Sequence, residues 1–77
     1  MTLTTGKLGG LVRTARQRMG VTQRALALTS GTGLRFVVDL EKGKPTCQVG
    51  KVLTVLNTLG VEIVLKLPPA KHDATGD

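Results

Sequence analysis

Residues 22–46 read TQRALALTSGTGLRFVVDLEKGKPT, and their spacing predicts two short helices joined by a tight, glycine-containing turn. Thr22 is a good N-cap for a helix from Gln23 to about Thr29, because its hydroxyl can accept from a backbone N–H that the first turn leaves unpartnered. Leu26 and Ala27 are the inward residues of that helix. Ser30-Gly31-Thr32-Gly33 form the turn. Another helix follows from about Leu34 to Glu41 or Lys42, and Gly43 stops it. Val37 and Leu40 point one way along it, with Arg35 and Asp39 roughly opposite. Its cap is open between Gly33, an acceptable N-cap, and Thr32, which would shift the start by one residue.

Working outward, Leu8, Leu11, Val12, Ala15 and Met19 follow the spacing of one helical face, with Arg13 and Gln17 opposite. A first helix is therefore expected from near Lys7, after a loose Met1–Gly6, with Gly20 as its left-handed end. Gly9 and Gly10 weaken its first turn by up to about 1 kcal/mol each relative to Ala. Downstream, Lys44 and Pro45 make a loop and Thr46 caps a fourth helix, whose inward face is Val49, Val52, Leu53, Leu56 and Leu59. Gly60 ends that helix. The period then changes from helical to alternating: Val61, Ile63, Leu65 and Leu67 alternate with Glu62, Val64 and Lys66, which predicts a strand. Pro68 and Pro69 end it. One domain over 1–67 is expected, with a disordered tail over 68–77.

Seventy-seven residues make one small domain. A chain this short buries only about 60% of its unfolded surface, so something must add to the core. Disulfides are excluded, since Cys47 is the only cysteine. One Cys and one His, His72 in the tail, make no metal site, and no cofactor motif is present. Oligomerisation is the remaining route, and a lone strand that needs a partner supplies the means. No signal peptide or membrane span is visible, so a cytoplasmic protein with no membrane partner is expected. Convergent acids, histidines or nucleophiles are missing too, which argues against an enzyme. Cys47 reads as a structural or idle thiol. Phe36 is the sole aromatic, too few for stacking single-stranded RNA.

Charge is unevenly spread. Met1 to Lys51 holds nine Lys or Arg against two acids, a net of +7, whereas Val52 to Asp77 nets −1. A basic front part containing two short helices and a tight turn is the outline of a helix-turn-helix.

The residues sharpen that outline. Thr22-Gln23, Leu26-Ala27, Gly31, Val37, Leu40-Glu41 and Gly43-Lys44 resemble the Cro/phage-repressor (Xre) family of helix-turn-helix proteins, and the likeness runs from about Leu8 through Leu59. The segments LGGLVRTARQRMGVTQ, LRFVVDLEKGKPT and VGKVLTVLNTLGVEIVL look like the HipB-type antitoxins within it. The chain departs from the family's pattern at Thr32, where an apolar residue is usual, and at Gly33, where Ser or Thr is usual. The resemblance implies a mainly α fold: a four-to-five-helix, repressor-like DNA-binding domain with a C-terminal β-strand pairing across a homodimer. Val61, Ile63, Leu65 and Leu67 would carry that pairing. It further implies a transcriptional repressor that binds a two-fold-related site in double-stranded DNA and sits on the nucleoid. The HipB likeness adds an antitoxin role toward a HipA-type kinase toxin, the alternative being a stand-alone regulator.

Residue roles follow from the same resemblance. Leu34, Arg35, Val38 and Asp39 are placed against base edges in the major groove. Arg35 suits the bidentate acceptor pair of guanine, and Leu34 and Val38 suit a thymine methyl or the edge of the core. Asp39 is left between accepting from cytosine and orienting Arg35. Gln23, Gly33 and Lys44 are phosphate candidates, and Arg24 and Lys42 are weaker ones that read first as free surface charges. Arg16 and Glu41 border the apolar stripes of their helices, and the family's pattern makes them a partly buried, structural ion pair.

Overall fold

A computed structural model describes residues 2–70 of the chain. Its helices are α1 (Thr5–Arg18), α2 (Gln23–Ser30), α3 (Leu34–Glu41) and α4 (Val49–Thr58). α3 packs against both α1 and α2, and α4 closes on α2. One core unites them: Val12 from α1, Leu26 and Ala27 from α2, Val37 and Leu40 from α3, then Val52, Val55, Leu56 and Leu59. Gly20, Gly31, Gly43 and Gly60 stand in the left-handed conformation where the helices end. Among the described residues no helix is long and apolar enough to cross a membrane.

α1 starts two residues before the expected Lys7, so Thr5 and Gly6 are helical rather than loose. The cause is Thr4, whose Oγ1 accepts from the Lys7 backbone N–H at 3.1 Å. Its buried face is also narrower than expected. Gly9 and Val12 are buried and Leu8 and Ala15 pack half-buried, but Leu11 and Met19 stand exposed. Gly9 is required by contact: a Cβ there would overlap the carbonyl oxygen of Leu40 and lie 2.8 Å from that of Glu41. The absent side chain is what lets α1 lie directly on the end of α3.

α4 corrects the reading twice. It begins at Val49 with Gln48 as N-cap, not at Thr46. Pro45 and Thr46 are taken up by a turn, which Pro favours with its fixed φ. Cys47 therefore sits half-buried in the connection, ahead of the helix rather than in its first turn. The buried face is Val52, Val55, Leu56 and Leu59, while Val49 and Leu53 are 71% and 49% exposed. Both faces satisfy helical spacing, and the sequence is apolar enough for either. Tertiary packing against α2 makes the choice.

After α4, Val61 packs half-buried against the core and its N–H closes the helix on the Leu56 carbonyl at 2.9 Å. Residues 62–70 are exposed and carry no regular secondary structure. The alternation over 61–67 thus finds no neighbouring strand among the described residues of the chain. The expected disordered tail lies, from residue 71 on, outside the described residues, and so does His72.

Candidate nucleic-acid interface

The frame of α3 is set by its cap. Gly33 is the N-cap, with φ +93°, a conformation that would strain the Ser or Thr usual at this position. Thr32 is not the cap. Its Oγ1 shares a 2.8 Å hydrogen bond with Ser30 Oγ, which itself donates to the Leu26 carbonyl at 2.7 Å. The hydroxyl is turned back onto α2, and α3 starts at Leu34 without a side-chain cap.

From that start, α3 buries Val37 and Leu40 and leaves Arg35 outermost, with 87% of its side chain exposed. Asp39, one turn later, lies between two cations: Arg35 Nε at 3.6 Å and Lys44 Nζ at 3.5 Å. Such solvated pairs are worth a few tenths of a kcal/mol, so a stronger acceptor can draw either cation away. Leu34 packs against the edge of the core and Val38 is half-buried. The four base-reading candidates therefore form a set with two apolar members on the flank and a charged pair at the crest. Lys44 joins them through Asp39, five residues away, a link that helical spacing does not reveal.

α2 brings up its own N-terminus. Thr22 Oγ1 accepts from the Ala25 N–H at 3.0 Å. Gln23 is half-buried, and Arg24 is exposed with no ion pair among the described residues. Lys42 is exposed at the C-cap of α3.

Behind this surface Arg16 and Glu41 meet, with side chains only 12% and 4% exposed. Arg16 Nε donates to Glu41 Oε2 at 2.6 Å and Nη2 to Oε1 at 3.1 Å, a bidentate pair. Arg16 Nη1 donates to the Val21 carbonyl at 2.9 Å. The hydrogen bond that the guanidinium donates to Glu41's carboxylate, more than the opposing cost of burial, pushes it above its ordinary pKa. Sequence spacing missed one member of the group: Gln23 Nε2 donates to Glu41 Oε1 at 3.1 Å. No periodicity links positions 23 and 41, since they lie on different helices.

The surface carries exposed cations, Arg24, Arg35, Lys42 and Lys44, which is the chemistry of polyanion binding. Among the described residues no three His, Cys, Asp or Glu side chains gather to hold a metal. Val61, Ile63, Leu65 and Leu67 lie away from α3, in the segment after α4. Beside them an open groove of about 400 Å³ is lined by Leu53, Leu56, Asn57, Val61, Glu62 and Ile63.

No family model matches the chain. An uncharacterized HTH-type transcriptional regulator, y4mF, of Sinorhizobium fredii is 52% identical to it over 65 residues, which cover 84% of this chain and 86% of that protein.

Proposed function

The chain belongs to the HTH-type transcriptional regulators, and on that premise we propose that it is a homodimeric repressor that reads a two-fold-related site in double-stranded DNA. The observation that carries the reading is α3, an eight-residue helix with a core side of Val37 and Leu40 and an outer side of Arg35, Asp39 and the neighbouring Lys44. In the major groove Arg35 takes guanine O6 and N7, and Asp39 holds it in place or accepts from cytosine. Leu34 and Val38 would contact a thymine methyl. Gln23 and Lys44 clamp phosphates on either side, aided by Arg24 and by the backbone beside Gly33.

The second copy is called for by the segment after α4. Leu65 and Leu67 are 84% and 88% exposed and their backbone groups have no ladder. Antiparallel pairing of Val61–Leu67 with its symmetry mate would supply both the ladder and the cover, laying the ribbon over Leu53 of each α4. The two third helices would then enter successive grooves of a cytoplasmic, nucleoid-bound operator.

Within that reading we infer an antitoxin that represses its own operon and restrains a HipA-type kinase. The support is the likeness of α1, α4 and the 61–65 segment to the HipB-type group, together with exposed apolar side chains outside the helix pair, Leu3 and Leu11 among them. The alternative is a stand-alone Xre-family regulator.

Two measurements test these statements. Binding to a random-sequence duplex should weaken with salt, with a log–log slope near −5 if about six phosphates are neutralised. A flat salt response would sink the DNA reading. Co-expression with an adjacent HipA-type kinase gene should yield a co-purifying complex and rescue growth, and failure of both leaves the stand-alone regulator.

A further inference from the structure

Three helices meet at one carboxylate. Both oxygens of Glu41, at the end of α3, are occupied, by Arg16 of α1 and by the amide of Gln23 at the start of α2. We propose that Glu41 is a positioning residue for DNA binding, which orients the Gln23 amide toward a phosphate while Arg16 holds Glu41 in place. The proposal rests on the DNA-binding reading above and assigns the buried ion pair a role beyond stability.

A primary amide is planar, with an acceptor on one side and two N–H donors on the other. A phosphate only accepts, so a glutamine that binds one must present nitrogen. At 3.1 Å from Glu41 Oε1, the reversed amide would set oxygen against a carboxylate oxygen. That clash in a nearly buried site removes the second orientation. One N–H is spent on Glu41. The other makes no hydrogen bond among the described residues, and in the proposal it goes to the phosphate. The bidentate grip of Arg16 fixes the carboxylate in turn, and its third bond, to Val21, ties the same guanidinium to the residue before the α2 cap. Phosphate donor and base-reading helix therefore move as one body, and less ordering is left to occur on binding.

A double-mutant cycle separates positioning from stability. The DNA probe is a duplex selected from random sequence by the wild-type chain, and affinities are measured where circular dichroism finds every variant folded. Gln23→Ala should weaken wild-type binding about tenfold, the scale of a hydrogen bond to a charged group. In a Glu41→Gln background, which keeps the size and loses the orienting charge, the same change should cost less than twofold. Methylphosphonate substitution should map the effect to one phosphate in each half-site, sensitive in wild type and insensitive in both single variants. Arg16→Lys, which breaks the fork but keeps the charge, serves as the background if Glu41→Gln does not fold. An equal cost of Gln23→Ala in both backgrounds, or none in wild type, overturns the proposal. A chain that retains no salt-dependent DNA binding at all fails the earlier reading and takes this one with it.

Discussion

Gly9 and Gly10 are neighbours in α1 with opposite prospects on substitution by alanine. A methyl at Gly9 runs into the carbonyls of Leu40 and Glu41, whereas one at Gly10 meets nothing within 4 Å. Gly10→Ala should therefore raise stability by up to about 1 kcal/mol, and Gly9→Ala should lower it by about 1–3 kcal/mol through overpacking. Urea midpoints of the two variants check this, and equal shifts would contradict the packing described. Helix propensity read from sequence treats both glycines alike, because the difference lies at the end of α3, in the carbonyls of Leu40 and Glu41, far along the chain from Gly9. Arg16 is the converse case, since the resemblance to the repressor family already implies its ion pair with Glu41. Arg16→Met leaves Glu41 buried without its cation, a loss that reaches about 3–5 kcal/mol for a fully buried pair. The raised guanidinium pKa means the pair's contribution is complete below the ordinary arginine value and is lost only above it. The gap in melting temperature between wild type and Arg16→Met should thus stay level from roughly pH 7 to 10. A gap that closes within that range would contradict the assignment.

At the scale of elements, the sequence yields α2 and α3 almost to the residue. Each is a short stripe with a Thr or Gly cap and a Gly stop, and these end signals fix its bounds. α4 is legible as a helix but not in its rotation, because Val49, Val52, Leu53, Val55, Leu56 and Leu59 contain two helical stripes and only contact with α2 selects one. The unselected edge, Val49 and Leu53, stays in solvent, and Leu53 lines the groove beside Val61 and Ile63 in the segment that alternates like a strand. A strand exists only by virtue of its neighbour, so its formation is beyond any one-chain reading of the pattern. Removing the chain after Gly60 should turn a dimer into a monomer in sedimentation equilibrium while the helical circular dichroism per residue of 2–60 is retained. A truncated chain that dimerises as tightly as the full one would assign the dimer to the helices alone. Base reading is expected to concentrate in one element as well. Arg35→Ala should cost about 1–3 kcal/mol at a single base position, while Lys44→Ala should weaken all sequences alike.

Across the whole molecule, positive charge is concentrated in residues 1–51, whereas exposed apolar side chains occur in both parts, Leu28 and Val49 among those in the first. The basic part, residues 1–51, carries the α2–α3 pair, and the near-neutral remainder carries the exposed Ile63, Leu65 and Leu67. A dimer joined through the second part would present two copies of the first, related by a two-fold axis. The spacing of the DNA sites then reports on the architecture more directly than any single contact. Selection of duplexes from a random pool by the full-length chain, followed by sequencing, is the measurement that bears on the central claim. The account predicts inverted repeats with half-sites about 10 bp apart, or a multiple of that, with one guanine in each half-site whose preference disappears in Arg35→Ala. Enrichment of sites without two-fold symmetry, or no enrichment at all, would contradict it.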